Sequence, residues 1–137
     1  MIQAAHETGK SLKLRIKANS LRLRMTPSEM TRLLETGRIH ETIHFPSHES
    51  ACLTYAVEHR PDTPVLTVRY SPNEVVVVLS SAQARRWAET ADIGIYGETP
   101  THGGTLQLAV EKDFACLDKS DAENVDTFPH PHQGTSC

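Results

Sequence analysis

Five basic side chains alternate with apolar ones near the start of the chain. Lys13, Arg15 and Lys17 interleave with Leu12, Leu14 and Ile16, and Arg22 and Arg24 with Leu21, Leu23 and Met25. Strict alternation marks a strand with one apolar and one polar face. Ala18-Asn19-Ser20 supplies a turn between the two runs, Asn tolerating a left-handed backbone. The result is a hairpin with a wholly cationic face. If that face lines a concavity, it suits an anion, such as a phosphate-bearing one. Otherwise it is a solvated sheet face, or one covered by the acidic residues Glu111, Asp113, Asp118, Asp121, Glu123 and Asp126 that gather late in the chain.

A second set of candidates is soft. Cys116, His130, His132 and Cys137 could hold a zinc or copper ion. In Phe-Pro-His-Pro-His the two imidazoles lie about 6–7 Å apart if the backbone is extended. The spacing fits no standard zinc signature. The plainer reading is a proline-stiffened tail with Phe128 packing onto the body, and Cys116 a small buried hydrophobe. Asp118, Asp121 and Glu123 lack the pattern of a calcium loop and read as a solvated acidic stretch. His40 and His44 share one face of a strand about 13 Å apart, too far for one metal. Ala4-x-x-x-x-Gly9-Lys10-Ser11 satisfies a relaxed P-loop pattern. It has neither the preceding buried strand nor the helix opening at Lys-Ser that phosphate binding needs.

The elements that must position these residues follow from local chemistry. Thr26-Pro27-Ser28-Glu29 starts a helix, with Thr as cap, Pro in the first turn and Glu closing a capping box. Met30, Leu33 and Leu34 form its buried face and Gly37 stops it. Strands are expected at 38–45 and 52–58. The order then repeats: strands 65–70 and 75–79 around Pro72-Asn73, a helix capped by Ser80 or Ser81 with Ala84, Trp87 and Ala88 inward, and strands 92–97 and 105–111.

The repeat reaches individual residues. At an offset of 54, Arg15 matches Arg69, Asn19 matches Asn73, Arg32 matches Arg86 and Ile39 matches Ile93. At an offset of 53, the stretch from Leu53 to Glu58 matches that from Leu106 to Glu111. The expected architecture is therefore α+β and β-rich. A single domain, 1–137, holds duplicated ββαββ units at 12–58 and 65–111, with an irregular extension over 112–137. Eight antiparallel strands form a barrel or strongly curved sheet with two helices.

With 137 residues, 15.2 kDa and a net charge of −3, the chain suits one core-bearing domain. Nothing global points to sequence-specific nucleic acid. No run approaches the roughly 18 apolar residues of a membrane helix. The N-terminus shows no secretion signal, and three widely spaced cysteines suggest no disulfide framework. A cytoplasmic location is expected.

From Lys13 to Glu29, from Glu111 to Leu117, and from Phe128 to Pro131, the chain resembles an uncharacterised family of short bacterial proteins. That family opens with K-x-R-I-K-x-N-S-x-R-x-R and closes with E-K-D-F-x-C-L and F-P-x-P. The resemblance implies no known activity. The duplicated β-rich unit is also similar in outline to the triphosphate-tunnel (CYTH-like) fold, which implies a polyphosphate tunnel with metal on a Glu-x-Glu-x-Lys strand. Here that strand reads Lys13-Leu14-Arg15-Ile16-Lys17, whose cations cannot ligate magnesium.

The expected function is a non-catalytic binding module. Lys13, Arg15, Lys17, Arg22, Arg24 and Arg69 would meet an anionic small molecule or an acidic protein surface, without a cofactor. Two alternatives stand beside it. One is a phosphohydrolase in a barrel lumen, using Glu41, Glu58 and Glu111; the other is metal binding by the Cys/His tail.

Overall fold

In the computed structural model, two four-stranded sheets share one core, and two helices complete it. The structure describes residues 11–63, 65–114 and 126–129. Their order is β1 (Lys13–Ile16), β2 (Ser20–Met25), α1 (Pro27–Thr36), β3 (Arg38–His44), β4 (Cys52–Arg60), β5 (Thr67–Ser71), β6 (Glu74–Ser80), α2 (Ser81–Glu89), β7 (Gly94–Thr101) and β8 (Gly104–Lys112). The expected capping box is present: Thr26 N–H donates to Glu29 Oε1 at 2.9 Å, and Thr26 Oγ1 accepts from Glu29 N–H at 3.2 Å. Gly37 ends α1 at φ 88°, where a side chain would be strained. Ser80 is the residue that caps α2.

The sheets are built from both halves of the chain. The first has the order β1-β2-β8-β7 and the second β3-β4-β6-β5. Each therefore combines one hairpin from residues 13–60 with one from 67–112. Exchanging the halves turns one strand order into the other. Inner-face residues Leu23, Met25, Leu108 and Val110 of the first sheet meet Ile39, Val57, Val77 and Leu79 of the second in one cluster with Leu33 and Trp87. Burying each such side chain contributes about 1.5–3 kcal/mol.

This corrects the expected eight-stranded antiparallel barrel. The sheets are open, with β1, β7, β3 and β5 at edges, and they are mixed, because β2 runs parallel to β8 and β4 to β6. Alternation decides which side chains face inward but not which strand lies alongside. Here α1 and α2 carry the chain from one sheet to the other, so the hairpins on either side of each helix lie in different sheets, while β3–β4 and β5–β6 pair within one. Among the described residues the open sheets enclose no barrel lumen.

Two asparagines join the hairpins. Asn19 Nδ2 donates to Thr105 O at 2.8 Å and its carbonyl accepts from Gln107 N–H. Asn73 Nδ2 donates to Ser50 O at 2.9 Å and its carbonyl accepts from Thr54 N–H. The left-handed residue differs between the turns. Asn73 has φ 71°, whereas in the first turn it is Ala18, at φ 48°, rather than Asn19. Pro72 fixes its own φ near −65° and leaves the positive angle to the residue after it.

Phe128 docks on the body as expected. Its N–H donates to Asp113 O at 2.8 Å, its ring meets Phe114 edge-on at 6.0 Å, and Lys112 Nζ lies 5.3 Å from its centroid. Burial holds the Lys112 ammonium below its ordinary pKa.

Candidate functional site

The cationic face is the outer face of the first sheet. In register across it stand Lys13, Arg24, Glu111 and Gly94, then Arg15, Arg22, Ala109 and Tyr96. Five of the six expected anion-binding residues thus share one surface: Lys13, Arg15, Arg22 and Arg24, with Lys17 beside Ser20 at the hairpin end. Arg69, the sixth, lies on β5 in the other sheet.

Most of these charges are already paired. Arg22 Nε and Arg24 Nε lie 3.5 and 3.3 Å from Glu111 Oε1, and Lys13 Nζ lies 3.0 Å from Asp113 Oδ2. Tyr96 completes the Glu111 cluster, its hydroxyl donating to Oε2 at 2.7 Å. Although the residue as a whole is 58% exposed, its hydroxyl is held against Glu111 of β8. Burial, the bond to Glu111 and that carboxylate's charge push its pKa up to about 12. Gly94 makes the cluster possible, since a Cβ there would stand 2.8 Å from Glu111 Cγ and 2.7 Å from Val110 O.

Arg15 and Lys17 differ. Both are exposed, and neither has an ion-pair partner among the described residues. With Ser20 and Arg22 they line an open recess of about 200 Å³. Three cations can receive a tetrahedral or planar oxyanion, guanidinium groups offering paired donors, while the Ser20 hydroxyl donates to Lys17 O at 2.6 Å and braces the turn beside them.

The equivalent face of the second sheet is built differently. Where the first sheet has Arg22 and Arg24, the second has Val76 and Val78, both buried. Its guanidinium groups come instead from the edge strands (Arg38 on β3, Arg69 on β5) and from the end of β4 (Arg60), and converge on Glu58, the counterpart of Glu111. Arg38 Nη1 lies 2.6 Å and Arg69 Nη2 3.2 Å from Glu58 Oε2, with Arg60 Nε 3.3 Å from Oε1. Burial alone would raise the Glu58 pKa; hydrogen bonds from Arg69 and Arg38 outweigh it and hold the carboxyl below the ordinary range. Arg69 is therefore engaged, and it lies on a different sheet from the other five.

The remaining candidates do not assemble. Glu41 shares the inward face of Ile39, while Glu58 and Glu111 lie on outer faces of different sheets. The carboxylate cluster that a phosphohydrolase reading required is absent from these three. His40 and His44 are exposed on β3, and no metal-binding cluster occurs among the described residues. Cys116, His130, His132 and Cys137 lie outside the described residues, as do Gly9, Lys10, Asp118, Asp121 and Glu123.

Sequence reasoning missed Ser20, Gly94 and Tyr96. Ser20 was legible as the residue opposite Lys17 in a two-residue hairpin. Nothing local marks Gly94 and Tyr96, whose role depends on a strand pairing.

Fold and face together define an α+β domain of two open mixed sheets, one with a cation-rich outer surface. The chain belongs to a family of unknown function, DUF7009, whose model matches residues 12–132. No curated protein and no solved structure matches it. The likeness to the triphosphate-tunnel fold gains no support, since open sheets form no tunnel.

Proposed function

We propose that this chain is a non-catalytic binding module that takes an anionic group between Arg15, Lys17, Ser20 and Arg22. The observation that carries the reading is an asymmetry between otherwise equivalent faces. Arg69 is paired with Glu58, while its counterpart Arg15 stands with Lys17 in an open recess without a carboxylate partner among the described residues. Glu111 supports the site by holding Arg22 against β8, which limits the side-chain entropy that binding must remove. The setting is solvent-exposed, so affinity should be modest and fall with salt.

Titration with inorganic pyrophosphate tests this. Saturable binding that weakens with ionic strength and drops at least tenfold in the Arg15→Ala/Lys17→Ala double variant is expected. Equal binding by the double variant and the parent would overturn the reading. Both side chains are exposed and unpaired among the described residues, so the variant should keep its fold.

A further inference from the structure

The recess borders β1, an edge strand among the described residues, and the two features together bear on the class of partner. In the β1–β2 hairpin, Lys17 N–H bonds to Ser20 O, and the register pairs Arg15 with Arg22. Bonded and non-bonded pairs alternate in an antiparallel ladder. The backbone groups of Lys13, Arg15 and Lys17 therefore point toward β2, and those of Leu12, Leu14 and Ile16 point away from it. Tyr55 hydroxyl takes the Leu12 carbonyl at 2.9 Å. Leu14 and Ile16 have no further strand beside them among the described residues. At this edge Ile16 is 64% exposed on one face, and Arg15 and Lys17 are exposed on the other.

We propose that β1 accepts an extended acidic segment of a protein partner by strand addition, with carboxylates beside Arg15 and Lys17 and apolar side chains beside Leu14 and Ile16. The proposal rests on the anion-binding reading of the recess and adds to it the nature of the partner. Main-chain bonds at Leu14 and Ile16 would supply affinity, and the alternating side chains would supply selectivity. Side chains opposite one another on paired strands come within about 5 Å, so a partner's acid side chains fall beside the free cations. Charge also excludes the obvious competitor. Pairing β1 with β1 of a second copy would bring Arg15 and Lys17 against their like, which disfavours self-association and leaves the edge to an anionic strand. The corresponding edge of β5 carries an exposed Tyr70, but its Arg69 is bound to Glu58; it offers the backbone without the free charge.

The test uses the full chain and three probes: an eight-residue peptide alternating Glu and Val, the same peptide N-methylated along its bonding edge, and inorganic pyrophosphate. Affinity and amide exchange are both measured. The expected result is peptide binding that slows exchange at Leu14 and Ile16, is lost on N-methylation, and weakens about fivefold with each of Arg15→Ala and Lys17→Ala. Peptide binding that survives N-methylation, or leaves both amides unprotected, overturns strand addition. Pyrophosphate binding without peptide binding overturns it too, while keeping the anion site. If neither pyrophosphate nor peptide binds, both readings fall.

Discussion

Two buried glutamates at equivalent places, Glu58 and Glu111, organise the two charged faces, and their surroundings decide what each face can do. Removing the Glu58 charge leaves Arg38, Arg60 and Arg69 crowded on one surface. Glu58→Gln should therefore cost about 2 kcal/mol at neutral pH, measured by urea unfolding. The pH dependence has a definite sign. A carboxylate depressed in the fold contributes stability that is present above its unfolded pKa, about 4.3, and lost as pH falls through the folded value. Glu58→Gln should accordingly flatten the acid limb of the stability curve. Glu29 works the other way: burial outweighs its bonds from Thr26 and raises its pKa. Its contribution favours the fold at low pH and declines as pH rises through that raised value. Gly94→Ala should cost about 2 kcal/mol, because a Cβ 2.7 Å from a backbone oxygen forces β7 off β8. An unchanged melting temperature in that variant would contradict the packing described for Glu111 and Tyr96.

At the scale of elements, the hairpin turns do more than reverse the chain. Asn19 and Asn73 each tie a turn to the strand running parallel to its hairpin, so Asn19→Ala and Asn73→Ala should each cost about 1 kcal/mol. Ala18→Gly should stabilise by about 0.5–1 kcal/mol, since alanine holds a left-handed angle there that glycine adopts freely. Equilibrium unfolding of the three variants checks both signs. Much of this level was legible beforehand. Both helices, their caps, and the inward and outward faces of the strands follow from spacing and side-chain type. The pairing of β2 with β8 was not legible, because Arg24 and Glu111 stand 87 residues apart and alternation carries no information about a strand's neighbour. Of the candidate site, Arg15 and Lys17 could be read from the sequence. That Glu111 takes Arg22 and Arg24 was one alternative the late acidic run offered, whereas the pairing of Arg69 with Glu58 could not be read.

For the whole molecule, the exchange of hairpins means that neither half can complete a sheet alone. Residues 11–63 and 65–137 expressed as separate chains should each lack a cooperative thermal transition, and mixing them should restore one, followed by circular dichroism. Independent folding of either half would contradict the sheet orders. The same arrangement presents two equivalent outer faces, of which one has its guanidinium groups paired with carboxylates and the other keeps Arg15 and Lys17 unpaired among the described residues at an open recess. That difference is the centre of the functional account, and amide chemical-shift mapping during titration with inorganic pyrophosphate tests it most directly. The account predicts saturable shifts clustered at Arg15, Lys17, Ser20 and Arg22, with the Glu58–Arg69 face unmoved. Shifts that are absent, or equal on the two faces, would contradict it.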